Sequence, residues 1–248
     1  MTSQPSTIDD LEAEQDAIEA LVAPLDQAAL AGPSAAAGWS IADVMLHLAQ
    51  SEEAVWSCIT GESIGNPFRA EGSTTDEIVA NWVAAERGDP VESVERWRRA
   101  RRNSIEALRS ADPQVRYPWV AAPLRPAALA TTRLAEHWAH AHDIAGPLGV
   151  DYPDTDRLRH IAWLGHRTLP YAFGLAGLES QPVYCELTAP DGHSRWTYGD
   201  PAAPSRITGA AGAFCRVGAQ RLAATDSGLV TEGPHAATAL RLLRNYAG

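Results

Sequence analysis

Apolar residues recur at helical spacing through the first two-thirds of this 248-residue chain, and from Gln181 onward alternation replaces that period. The switch restricts the fold to a helical unit followed by one that mixes strands with helices, because the two periods bury different faces. In the first segment Leu11, Ile18, Leu21 and Leu25 fall on one helix face. Ser6 or Thr7 is available as its cap, with Asp9 and Asp10 near its positive end. That helix fades before Gly32-Pro33. Gly38-Trp39-Ser40 introduces a second, in which Ser40 and Asp43 have capping-box spacing and Ile41, Val44, Met45, Leu48, Val55 and Ile59 form the stripe. A third helical region covers about 75–109, broken near Gly88-Asp89-Pro90. A Pro-rich loop, 117–126, leads to a long Ala-rich helix that ends near Gly146-Pro147, and another helix is expected after Pro153-Asp154, to about Phe173.

In the last third, PVYCELTAPDGHSRWTYGD reads as two strands joined at Pro190-Asp191-Gly192. Ile207 opens a short segment before a helix carrying Phe214, Val217 and Leu222. Residues 229–247 read as a short strand, then Pro234 and a closing helix. The expected class is α+β, with an all-helical unit over 1–152 and a smaller α+β unit over 153–248.

A net charge of −11 argues against general nucleic-acid binding, because phosphates would be repelled. The one basic stretch, RWRRARR at 96–102, follows an acidic segment and reads as a solvated helix face. No apolar run approaches the roughly 20 residues of a membrane-spanning helix. The start, MTSQPSTIDDLEAEQ, is acidic and lacks the pattern of a signal peptide, so a cytoplasmic location is expected. A homodimer is left open. Cys58, Cys185 and Cys215 lie far apart and form no Cys-x-x-Cys pair, which fits a reducing compartment and buried thiols.

The chemistry-bearing segment is AEHWAHAHDIAG. Glu136 and His140 are four residues apart, one turn apart on one helix face, where a carboxylate and an imidazole can share a divalent ion. His137 and His142 point elsewhere. Arg133 and Asp143 extend the face of Glu136 and His140, opposite Leu134, Trp138, Ala141, Ala145 and Leu148. The same line also describes an ordinary solvated, salt-bridged face, so this helix alone leaves both readings open. A metal site needs a ligand from another helix, and His47 is the candidate. Two histidines and a carboxylate suit Zn²⁺ first, with Ni²⁺, Fe²⁺ or Mn²⁺ as alternatives that spacing does not separate.

The segment GWSIADVMLHLA resembles the "GW-[ST]-x-x-[DE]-x-x-x-H-[LI]" motif of the DinB and mycothiol-dependent maleylpyruvate isomerase superfamily. EHWAHAHDIAG resembles its second motif, "E-x-x-x-H-x-x-D-[LIV]". The amino-terminal IDDLEAEQDAIEALVAPL and the carboxy-terminal VYCELTAPDG, WTYGD and ITGAAGAFCRVGAQRL resemble an actinobacterial two-domain branch, so the likeness covers nearly the whole chain. It implies a DinB-like four-helix bundle with His47, Glu136 and His140 as metal ligands and Asp143 at the trailing acidic position. His142 stands where Gln or Val is usual and is a candidate base. Family isomerases place an arginine of the carboxy-terminal domain near the substrate, and Arg216 and Arg221 are the local candidates. That domain is expected to close over the mouth of the bundle.

The resemblance implies a metal-dependent isomerase or S-transferase that uses a thiol such as mycothiol on a small electrophilic metabolite. Two other readings stay open. One is a thiol-independent rearrangement, cyclisation or hydrolysis in secondary metabolism; the other is a non-catalytic metal- or small-molecule-binding protein. Trp39 and Trp138 read as packing anchors. Cys58 shares the side of His47 and Ser51 and reads as structural. His160, His166, His193 and His235 lack partners at ligand spacing.

Overall fold

The computed structural model describes residues 6–63, 72, 74–120 and 122–246. Residues 1–5 of the acidic start, residue 121 of the Pro-rich loop and Ala247, the expected end of the closing helix, lie outside the described residues. The chain divides into two compact units, one holding the described residues through Tyr152 and the other Pro153–Tyr246. The class is α+β. Among the described residues, no helix is long and apolar enough to cross a membrane.

The first unit contains α1 (Thr7–Val22), α2 (Gln27–Leu30), α3 (Ile41–Thr60), α4 (Thr75–Glu86), α5 (Pro90–Ser110) and α6 (Pro126–Leu148). Four long helices close a ring: α1 packs on α5 and α6, and α3 packs on the same two. Local chemistry sets their ends. Ser6 and Asp9 form a reciprocal capping box on α1, and Ser40 and Asp43 do the same on α3. Asp89 accepts from the N–H groups of Val91 and Glu92, and Pro90 occupies the first turn of α5, where its missing N–H does no harm. Ile18, Val44, Met45, Leu48, Trp97, Ala141 and Ile144 meet in the core. The four-residue α2 is a helix that the apolar pattern does not announce.

The basic stretch departs from the expected solvated face. Trp97 and Ala100 are buried within it. Arg96 pairs with Glu53 and Glu86, Arg98 with Glu19 and Glu95, and Arg101 with Asp16. These arginines tie α5 to α1, α3 and α4.

Pro147 lies inside α6, with no N–H to offer the carbonyl of Asp143 four residues back. That carbonyl instead accepts from the N–H of Ala35 at 2.8 Å. The loop running from α2 to α3 is thereby fastened to α6. Inside this loop, Ser34 N–H donates to the carbonyl of Trp39 at 2.9 Å.

The second unit contains α7 (Leu158–Arg167), α8 (Leu169–Leu175), β1 (Val183–Thr188), β2 (Arg195–Tyr198), β3 (Ser205–Ala210), α9 (Ala211–Gly218), β4 (Val230–Glu232) and α10 (Ala236–Leu242). The sheet order is β2-β1-β3-β4. β1 and β2 pair antiparallel, with Cys185 opposite Tyr198, across the expected turn. β3 pairs parallel with β1, with Cys185 opposite Ile207, so the short segment at Ile207 is a full central strand. α9 follows it directly and packs on α7, while Leu222 lies beyond the end of α9. The single helix expected up to Phe173 is two. Pro170 cannot donate to the carbonyl four residues back, and the helix restarts at Leu169 after Thr168.

Candidate metal centre

His47 is held on α3, seven residues past the Ser40 cap, and Glu136 and His140 on the central turns of α6. One donor atom from each of the three lies within 4.8 Å of the other two. His47 Nε2 is 3.4 Å and His140 Nε2 is 3.7 Å from Oε2 of Glu136. Donors about 3.4 Å apart are what bonds of roughly 2.0–2.1 Å at a tetrahedral angle require, so the set fits a divalent ion with small adjustments. His140 Nδ1 donates to Oδ2 of Asp143 at 2.9 Å, which leaves Nε2 as the bare, outward nitrogen. Trp39 stacks on His140, with ring centroids 6.2 Å apart, and lies tilted against His47 at 5.3 Å. It is therefore a wall of the site rather than only a packing anchor.

Burial opposes ionisation of Glu136. The hydrogen bond from His47, then the charges of Arg133 and His140, outweigh it and hold the carboxyl far below the usual range. Burial also lowers His47, and the pull of Glu136 does not overcome it. Glu136 is thus a carboxylate beside a neutral imidazole, whose ring proton must sit on Nδ1 for Nε2 to bind a metal.

The solvated reading of this face fails at two positions. Arg133 and Asp143 are buried, and so is His137, with no exposure at all. Arg133 Nε donates to Oε1 of Glu52 at 3.0 Å. The hydroxyl of Ser104 donates to the other oxygen of Glu52. His137 Nδ1 donates to the carbonyl of Arg133 at 2.8 Å, and its Nε2 accepts from Trp97 Nε1 at 3.2 Å, so its neutral tautomer is fixed. Sequence spacing missed Glu52, although a signal exists: it stands between Leu48 and Val55 on the apolar stripe of α3.

Burial, above all, pushes His137 down to about 4. Below its ordinary value near 6.5, the unfolded chain takes up a proton that the folded chain refuses. Its contribution to stability is therefore complete above pH 6.5 and is lost as pH falls toward about 4. Relative to a His137→Gln variant, the wild-type urea midpoint should fall when pH is lowered from about 7 to about 5. Equal pH dependence in the two proteins would show that this imidazole is not buried neutral.

The remaining candidates have partners of their own. His142 packs edge-on between Trp138 and Tyr152, with ring centroids at 4.8 and 5.4 Å. Arg216, on α9, makes a two-pronged pair with Asp154 at 2.7 and 3.0 Å. Arg221 donates to the carbonyl of Ala219 at 2.9 Å. Cys58 donates its thiol to the carbonyl of Pro118, and burial pushes the thiol above its ordinary value.

The family model described as the mycothiol maleylpyruvate isomerase N-terminal domain matches residues 11–145. Two uncharacterized proteins of Mycobacterium tuberculosis, from strains CDC 1551 / Oshkosh and ATCC 25618 / H37Rv, are each 34% identical over 250 residues. Each alignment covers 96% of this chain and 94% of the relative. The crystal structure of the mycothiol-dependent maleylpyruvate isomerase is similar with a TM-score of 0.61 at 15% identity. That of a histidine-to-alanine mutant gives 0.60 at 13%. Both likenesses span 92% of this chain and 95% of the other, and they bear on the fold.

Proposed function

Because the chain belongs to the mycothiol maleylpyruvate isomerase N-terminal domain family, we propose that it is a cytoplasmic, metal- and thiol-dependent isomerase or S-transferase acting on a small electrophilic metabolite. The observation that carries this reading is the convergence of His47 with Glu136, 89 residues later in sequence, and with His140. The helical unit, 1–152, is the metal-binding domain, and the α+β unit, 153–248, serves the substrate.

A divalent ion held by these donors (Zn²⁺ first, with Ni²⁺, Fe²⁺ or Mn²⁺ able to use the same set) would favour the thiolate of a cofactor such as mycothiol and polarise a substrate carbonyl. The protein's own groups prepare that chemistry. Asp143 fixes the tautomer and ring angle of His140. Glu136 stays ionised, so no proton need leave it before an ion enters. Trp39 lies against the two imidazoles, where it would limit the access of water to them. For the negative group of a substrate, Arg221 and Arg216 are retained as the candidates. His142 is retained as the candidate base.

The test is metal analysis of protein purified without an affinity tag, followed by mycothiol titration of the Co²⁺-loaded form. Bound divalent metal and a saturating thiolate-to-Co²⁺ charge-transfer band are the expected results. Protein that binds no divalent ion would overturn the reading. Metal without the band would remove the thiol and leave a thiol-independent enzyme or a binding protein, which turnover of an electrophilic substrate would separate.

A further inference from the structure

Close to the donor triad, three helices meet on buried polar groups that the proposed chemistry does not use. Glu52 lies on α3, five residues after His47, and Arg133 on α6, three residues before Glu136. The Glu52–Arg133 pair joins α3 to α6, Ser104 joins α5 to the same carboxylate, and Trp97 joins α5 to α6 through His137. Side-chain exposure is 0% for Glu52 and 5% for Arg133. Taking such a pair out of water costs several kcal/mol per ion, and an apolar pair of similar volume often holds a fold equally well. Stability alone therefore gives no reason for this pair to stand here.

Arg133 also keeps a donor in reserve. Its Nη2 is buried and has no hydrogen-bond partner among the described residues. The guanidinium is near enough for its charge to act on both Glu136 and His47. Ligating carboxylates are themselves hydrogen-bonded by an outer layer of side chains, and a buried, unused N–H one turn from Glu136 has the chemistry of that layer.

We propose that Arg133, anchored by Glu52, is a positioning residue for the metal centre: the pair fixes α6 against α3 so that His47 and Glu136 face one ion, and Nη2 serves the Glu136 carboxylate. This inference rests on the metal reading above.

The deciding protein is the double variant Glu52→Leu/Arg133→Met, which removes one charge of each sign and leaves the net charge unchanged. Its circular dichroism and urea midpoint should stay near wild type, while its Co²⁺ dissociation constant rises roughly 10–100-fold and the ligand-field band of the bound ion changes. A purely structural pair would move the midpoint and leave the affinity and the band alone. A folded double variant with wild-type affinity and band overturns the proposal. Arg133→Lys keeps the charge beside Glu52 but lacks the planar fork, so it should lose part of the Co²⁺ affinity. It decides the matter if the double variant does not fold, because unchanged affinity there overturns the proposal too. Wild-type protein that binds no Co²⁺ would sink the metal reading and this proposal together, whereas an unchanged affinity in the variants bears on Arg133 alone.

Discussion

Replacing His140 with Ala is expected to abolish divalent-ion binding and turnover while far-UV circular dichroism stays close to wild type. The bundle has a core of its own, built from Ile18, Val44, Leu48, Trp97 and Ile144. It should not need an ion to fold, unlike a zinc finger. His140 contributes one of three donors, and the two left behind cannot compensate an ion for losing its hydration shell. The matched control is His142→Gln, whose side chain packs between Trp138 and Tyr152 and should leave metal content intact. Metal analysis and circular dichroism on both variants give the answer. A His140 variant that keeps its metal beside a His142 variant that loses it would move the ligand by two residues. A His140 variant that unfolds would make the ion structural and remove the main support for an enzyme.

Glu52→Ala, made alone, should be among the most destabilising point changes in the bundle, at ~3–5 kcal/mol. The carboxylate accepts from Arg133 Nε and from the Ser104 hydroxyl, and it is fully buried. Its removal leaves the buried guanidinium without the carboxylate bonded to it and opens a void in the interior. Against a typical domain stability of about 5–15 kcal/mol, such a loss is a large share of the whole. Urea unfolding measures it directly. A loss under about 1 kcal/mol would mean that water reaches Arg133 and solvates it, contrary to its burial. The contrast with the double variant is informative in itself, because removing both charges leaves nothing stranded.

The helical unit was legible because its signals are local. Ser40 and Asp43 announce the start of α3, and Pro90 marks the first turn of α5 within a few residues of the bonds that form there. Glu136 and His140 share a helix face by spacing alone, and the resemblance at His47 supplied the third donor from across the fold. What stayed hidden depends on partners far away in sequence. The parallel pairing of β3 with β1 is invisible to alternation, which reports that a strand exists but not its neighbour. Arg133 and Asp143 look like surface charges until Glu52 and His140 are seen to hold them. Trp39 sits in a loop, where no period exists to say which way its ring faces.

The proline inside α6 has a consequence for anyone wishing to make this protein sturdier. Pro147→Ala is the exchange a thermostability screen would favour on helix propensity, since proline ranks last in a helix interior. The new amide would compete with Ala35 for the Asp143 carbonyl and weaken the bond that fastens the Trp39 loop to α6. A gain in melting temperature would then come with a slacker contact between Trp39 and the two imidazoles, a loss that the thermal curve alone does not register.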